Sequence, residues 1–463
     1  MRNPALMSAE ELLDHYARQR LSPVEALAAI TGRISRHNPS LNAFVVLNPA
    51  AEAAAGESTK RWRAGRPLGL LDGVPCTVKD LVDLAGFPTR RGSRLSSEEP
   101  VAHDAPSVLG LKAAGAVIVG KTTTTEYGWK SPGDSPLTGI TRNPWNPRRT
   151  PGGSSAGAAA ACAAGFGPLH LGTDGGGSIR IPAAWSGVVG LKPSFGRVPQ
   201  WPAGAFASVA VAGPMTRTVR DAALMLSAIA RFDHRDPYAL PDDPRDWREG
   251  IEAGVSGMHV ALLANHGFEA LLDPAGREAL EHAAHLFREA GAVVEEVDPD
   301  LPDTRTIFGR VWGMALARLV ASFPEAERRL LDPGLLEVAA SEGRMTASEF
   351  LDAESLRLAT AHRMASLHRR YDILLCPTVP NPPPLADAPT RDPIRALWKE
   401  WAPWTFTFNL SRQPAISLPM ALDETGLPRS VQIAAALYRD DLVLRAARTL
   451  ERMGDILGCA TMP

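Results

Sequence analysis

Short apolar runs of strand length recur along this chain with helical patterns between them, and that alternation limits the possible folds more than any other feature. The runs are Ala43–Leu47, Val74–Val78, Ala116–Val119, His259–Leu263, Ala292–Val297 and Asp372–Cys376. Between them, Val108–Ala114, Asp221–Arg231, Ala275–Ala290 and Ala347–Arg370 carry apolar residues at helical spacing. Helix starts are marked locally. Ser8 to Glu11 and Thr346 to Glu349 read as capping boxes, Ser22-Pro23 and Asp273-Pro274 as caps followed by proline at the first helical position. Strands alternating with helices predict an α/β fold around a largely buried, mostly parallel sheet. With no internal repeat, we read residues 1–463 as one domain, its catalytic core at about 65–215 and a completing C-terminal half at 258–460. The polar, Asp- and Pro-rich stretch Pro237–Gly257 reads as an exposed connection between them.

Composition narrows the function classes. At 45% apolar and 22% charged the chain can bury a large core, and a net charge of −2 with no basic cluster argues against nucleic acid or an acidic membrane as partner. Cys76, Cys162, Cys376 and Cys459 are far apart with no C-x-x-C pair, which disfavours zinc and disulfides and predicts a reducing, cytoplasmic setting. The N-terminus lacks the apolar core of a signal peptide. Ala156–Phe166, the richest apolar run, is too short to span a bilayer.

The most unusual composition lies between Pro151 and Arg197. Two clusters, Gly152-Gly153-Ser154-Ser155 and Gly175-Gly176-Gly177-Ser178, flank an alanine-rich helix and a short apolar strand. Glycine runs let backbone N–H groups converge on one point, as an anion or the oxyanion of acyl transfer requires. Flexible Gly-Ser linkers are the plain alternative, yet these clusters abut apolar segments. Nucleotide binding lacks both G-x-x-x-x-G-K-[ST] and a strand-bounded G-x-G-x-x-G.

A serine hydrolase remains. Gly153 to Gly157 is a literal G-x-S-x-G around Ser155, but the residues before it, NPWNPRRTP, carry three prolines where a nucleophile elbow needs a strand. No histidine follows His368 to complete such a triad. Lysine can serve as base when burial keeps its amine neutral. Lys79, at the end of Val74–Val78, is a candidate, although a lysine there is ordinarily a solvent-facing strand terminus.

The block GGSSAGAAAACAAG…LGTDGGGSIRIPAAWSGVVGLKPSFGR, preceded by LDGVPCTVKDLVD and GITRNPWNP and followed by DILLCPT and FNLSRQPAISLP, resembles the amidase signature family in several separated motifs kept in order. The resemblance implies the amidase-signature fold, a large mixed, mostly parallel twisted sheet flanked by helices on both faces. It implies Ser178 as nucleophile, Ser154 as a bridging serine on a cis peptide, Lys79 as base, and Gly175, Gly176 and Gly177 as the oxyanion-hole segment. Ser155, Thr173, Asp174 and Arg180 fall where the family braces its site. No metal and no cofactor are expected, and the implied substrate is a small hydrophobic or aryl amide, with esters or carbamates alongside. The chain departs from the family at Gly175, where Thr or Ile is usual, and at Ala156, where Gly is usual; the third glycine should loosen the oxyanion loop.

A second class shares these motifs: the glutaminase component of a tRNA-dependent amidotransferase. Met345–Tyr371 lacks that component's Arg-rich, Gly-Tyr-Tyr-containing pattern, so a free-standing monomer or homodimer is expected. A silent scaffold is the remote third possibility, with Lys79, Ser154 and Ser178 all intact. Pocket candidates are Tyr127, Trp129, Trp201, Phe206, Trp312, Trp398, Trp401, Trp404 and Phe406.

Overall fold

In the computed structural model, residues 3–264, 272–388, 402–454 and 460 are described. The strands are β1 (Phe44–Leu47), β2 (Pro75–Lys79), β3 (Val117–Thr122), β4 (Asp134–Ser135), β5 (Gly139–Ile140), β6 (Leu169–Asp174) and β7 (Val189–Lys192). They continue as β8 (Val211–Thr216), β9 (His259–Leu262), β10 (Val293–Glu296), β11 (Ile373–Pro377), β12 (Ala415–Leu422) and β13 (Pro428–Ala435). The helices are α1 (Ala9–Ala17), α2 (Pro23–Leu41), α3 (Ala51–Arg63), α4 (Pro106–Ala113), α5 (Ala156–Ala163), α6 (Arg180–Ser186) and α7 (Val219–Ile229). Then follow α8 (Pro274–Glu289), α9 (Thr304–Ala321), α10 (Pro333–Glu342), α11 (Ala347–Leu367), α12 (Pro403–Leu410) and α13 (Asp440–Met453). The capping boxes at Ser8, Ser22 and Thr346 are all formed.

All strands but β4 and β5 join one 11-stranded mixed sheet, ordered β1-β3-β2-β6-β8-β7-β12-β13-β11-β9-β10. Parallel pairing occupies its flanks, β3-β2-β6 and β11-β9-β10. Between these blocks, from β6 through β8, β7, β12 and β13 to β11, every pair is antiparallel, as is β1 with β3. The connections explain the division. Parallel neighbours need helical crossovers, whereas β12 and β13 are joined by the short Asp423–Leu427 turn.

Helices cover both faces. On one, α4, α7, α8 and α13 bury residues such as Val108, Leu224, Phe287 and Leu444 in a single apolar cluster that runs along the sheet from Cys76 and Val78 on β2 through Leu169 and Leu171 on β6 to Ile416 on β12 and Val431 on β13. Strand alternation then turns Thr77 and Lys79 to the other face, where α5 packs on β2, β3 and β6. α5 lies so close that small residues are obligatory. A methyl at Gly157 would collide with the Ala43 carbonyl oxygen and the Thr123 amide, which bond each other at 2.9 Å.

Gly157→Ala should therefore cost about 2–3 kcal/mol of stability through overpacking. A urea titration monitored by far-UV circular dichroism checks this, and an unchanged midpoint would contradict the close approach.

Candidate active site

The parallel strands β2 and β6 are neighbours, with Val78 opposite Leu171, so their carboxyl ends emerge side by side. Open α/β sheets place their sites at such ends. Lys79 is the last residue of β2 and Asp174 the last of β6. The first Gly-Ser cluster leads into α5 and the second, after β6, into α6, so the sequence's two unusual segments meet here.

Lys79 is fully buried. Its Nζ lies 2.7 Å from Ser154 Oγ, 2.9 Å from Ser155 Oγ and 2.9 Å from Thr173 Oγ1. Burial drives the amine well below the usual lysine range, only partly offset by the negative charge of Asp174. The solvent-facing reading of Lys79 is thereby excluded. Ser154 follows a cis Gly153–Ser154 peptide bond. Ser155 bridges the two clusters: its N–H donates to the Ser178 carbonyl at 3.1 Å and its hydroxyl to the Thr173 carbonyl at 3.2 Å.

The second cluster is held by Asp174. Its carboxylate accepts N–H bonds from Gly177 at 2.7 Å and Ile179 at 3.1 Å, and takes both Nε and Nη2 of Arg180 at 3.0 and 2.9 Å. Burial alone would raise this carboxyl, but the Arg180 charge and hydrogen bonds, with Lys192 and Asn409, hold it well below the usual range. Arg180 in turn reaches Gln432 Oε1 and Asn409 Oδ1, both at 2.6 Å, and the Thr405 carbonyl at 2.8 Å. Thr405 Oγ1 donates to the Gly176 carbonyl at 2.8 Å. Asn409 stands within the FNLSRQPAISLP motif; Thr405 and Gln432 were not singled out, since neither position carries a pattern of its own.

The glycines are packed rather than loose. A Cβ at 176 would fall 2.6 Å from Phe308 Cζ, and Gly177 has φ +127° with Thr405 and Ile181 crowding it. Gly175 faces the Trp312 ring, so the loosening expected of a third glycine is countered by an indole filling that space.

Ser154, Thr173, Gly175 and Ser178 line one cavity of about 640 Å³. Tyr127, Trp201, Phe206 and Trp312 form apolar parts of its wall, while Asp83, Arg91 and Arg318 add charge. Trp129, Trp404 and Phe406 are instead buried in the core. Trp398 and Trp401 lie outside the described residues. Among the described residues no group of three or more His, Cys, Asp or Glu side chains could hold a metal ion, and no helix is long and apolar enough to cross a membrane.

The amidase family model matches residues 25–444. The chain belongs to the amidase family. It is a hydrolase of carbon–nitrogen bonds in linear amides. It is 36% identical to an acylamidase of Rhodococcus erythropolis, over 96% of this chain and 95% of that one. It is also 33% identical to a glutamyl-tRNA(Gln) amidotransferase chain of Geobacter metallireducens, over 96% and 97%. Among solved structures, a bacterial aryl acylamidase of the amidase signature family superposes with a TM-score of 0.89 at 30% identity, covering 96% of each chain.

The Asp174–Arg180 pair gives this amidase a stability signature. Arg180→Met should destabilise it by about 3–5 kcal/mol, because a buried carboxylate loses its partner, and adding Asp174→Asn should recover part of that loss. Since folding lowers the Asp174 pKa from an ordinary 3.8, its stabilisation is present above about pH 4 and is lost as pH falls further. Urea titrations at pH 7 and pH 3.5 measure both effects.

Proposed function

We propose that Ser178 is the nucleophile, Ser154 the relay and Lys79 the neutral base of an amidase acting on small hydrophobic or aryl amides, with esters and carbamates as further substrates. The observation that carries this is the buried Lys79 amine, 2.7 Å from the Oγ of Ser154, a residue that lines the same cavity as Ser178. A neutral amine keeps a lone pair for a hydroxyl proton, which an ammonium lacks. The Ser178 proton passes to Ser154 Oγ as the Ser154 proton passes to Lys79, while Ser178 Oγ bonds to the carbonyl carbon. Charge developing on the carbonyl oxygen is met by backbone N–H groups of the glycine segment, each such donor contributing about 3 kcal/mol. The Gly177 N–H is already committed to Asp174, so Gly175 and Gly176 are the glycine donors in this scheme and Gly177 anchors the loop. The proton then returns through Ser154 to the leaving nitrogen, the C–N bond breaks, and water hydrolyses the acyl-enzyme.

Ser155, Thr173, Asp174 and Arg180 act as bracing residues in this scheme. We read the chain as one catalytic domain because one sheet unites strands from both halves. The buried thiols of Cys76 and Cys376, neither of them in a disulfide, support a cytoplasmic setting. The proposed assembly is a monomer or homodimer.

A fluorophosphonate should label the wild-type protein, and Ser178→Ala should abolish labelling and turnover. Lys79→Ala should lose about 10²–10⁴ in rate with the fold retained. Ser154→Ala should be severe but less complete than Ser178→Ala. Only neutral Lys79 accepts a proton, so activity should fall as pH drops through its lowered pKa, and that acid limb should vanish in residual Lys79→Ala activity. Labelling that survives Ser178→Ala but is lost in Ser155→Ala would overturn the assignment. The purified chain alone should hydrolyse anilides without tRNA or ATP. Glutaminase activity only with added partner proteins, and none on anilides, would favour the amidotransferase reading.

A further inference from the structure

Gly175 leaves the oxyanion segment without a side chain on its cavity side, and an indole takes that space. A Cβ at 175 would lie 3.1 Å from Trp312 Cζ3 and 3.4 Å from Cη2, so the ring stands against the loop that carries Ser178. The ring is rigidly mounted. Its Nε1 donates to the Trp129 carbonyl at 3.1 Å, and Phe308 packs 5.1 Å from it, itself stacked at 4.5 Å and 7° on Phe406.

Phe206 lies across this indole with ring centroids 3.5 Å apart and planes 5° from parallel. Aromatic pairs in proteins favour edge or offset contacts at longer centroid distances; this near-coincident stack is how a flat guest rests on a flat surface. Phe206 belongs to a different kind of element. It sits at the tip of the 199–210 segment, half-buried beside the exposed Pro202–Ala205, and lines the same cavity as Trp312 and Ser178. The backbone bonds at that tip, Ala207 N–H to Gly204 and Val209 N–H to Phe206, close within the segment. Phe206 can therefore swing out without breaking a sheet or helix bond, whereas Trp312 cannot leave α9.

We propose that Trp312 is the platform on which a planar aryl group of the substrate stacks, and that Phe206 occupies this platform until substrate displaces it. The proposal rests on Ser178 being the reacting serine, since it places the aryl group beside that residue. It gives Phe206 the role of a built-in competitor and makes flatness, rather than apolar bulk alone, the selected property. A cyclohexyl ring of similar size cannot reproduce the stack.

The test compares matched amides carrying phenyl or cyclohexyl, insulated from the scissile bond by one methylene so that electronic effects cancel. One series varies the acyl side, phenylacetyl against cyclohexylacetyl; the other varies the amine side, N-benzyl against N-cyclohexylmethyl. Wild-type kcat/KM should favour phenyl roughly tenfold in one series. Trp312→Leu should erase that ratio. Phe206→Ala should raise it, by lowering KM for the phenyl member several-fold, because the competing ring is gone. Ratios measured within each variant are insensitive to the fraction folded, and the Phe206 variant, at a half-buried position outside every strand and helix, reports even if Trp312→Leu fails to fold. A ratio near one in wild type, a ratio that survives Trp312→Leu, or a KM raised alike for both members by Phe206→Ala would overturn the platform. Ser178→Ala separates the two failures: turnover persisting there sinks the catalytic reading, whereas inactivity there with unmoved ratios sinks only the platform.

Discussion

The buried Asp174–Arg180 ion pair is the interaction on which the site depends. One carboxylate collects the Gly177 and Ile179 amides and two guanidinium nitrogens, which fixes the turn between β6 and α6. The same guanidinium reaches Thr405, Asn409 and Gln432, residues more than 220 positions later in the chain. A glycine loop free of such an anchor would spend its donors on water and sample many conformations, since glycine loses most backbone entropy on ordering. Here the ordering cost is met by charge-assisted hydrogen bonds in a dry interior, where each is stronger than at the surface.

That arrangement also sets the electrical state of the neighbouring lysine. Two fully buried side chains of opposite charge stand close together, yet only one keeps its charge comfortably. Asp174 has Arg180 as partner and several N–H donors, so its anion is stabilised. Lys79 has only hydroxyl and carbonyl oxygens in direct contact, so burial dominates and its neutral form is favoured. Burial of the amine outweighs the pull of the carboxylate, and the neutral form suits the proposed role of base.

Much of this was legible in the residues. The six apolar runs all became strands within one to three residues of their expected bounds, and Lys79 ends its strand as read. Those runs were visible because each stood between helical patterns. β7, β8, β12 and β13 were not, because glycine, proline or polar residues interrupt their apolar runs. β8 even carries Gly213 and Pro214, which disguised it as loop, and its antiparallel pairing with β6 and β7 changed the middle of the sheet. The triad candidates came from motif order, not from periodicity. Thr405 and Gln432 could not have been found that way, since their part depends on Arg180 crossing from one half of the chain to the other.

The aromatic candidates separate along a physical line that composition does not draw. Trp404 and Phe406 lie on α12, whose residues are buried on every side, so they fill the core. Tyr127, Trp201, Phe206 and Trp312 come instead from short or irregular segments and from the cavity side of α9. The groups of the proposed chemistry stand at strand ends and helix starts, where backbone bonds and buried charge fix them. Much of the surrounding wall comes from the 199–210 segment, which lies between β7 and β8 and can change without disturbing either strand's ladder. Catalytic geometry and substrate fit therefore rest largely on different parts of the fold, tied where Asn409 Nδ2 bonds both Asp174 and the Val209 carbonyl. Trp312 also joins them, because its ring touches the glycine loop on one side and Phe206 of the 199–210 segment on the other.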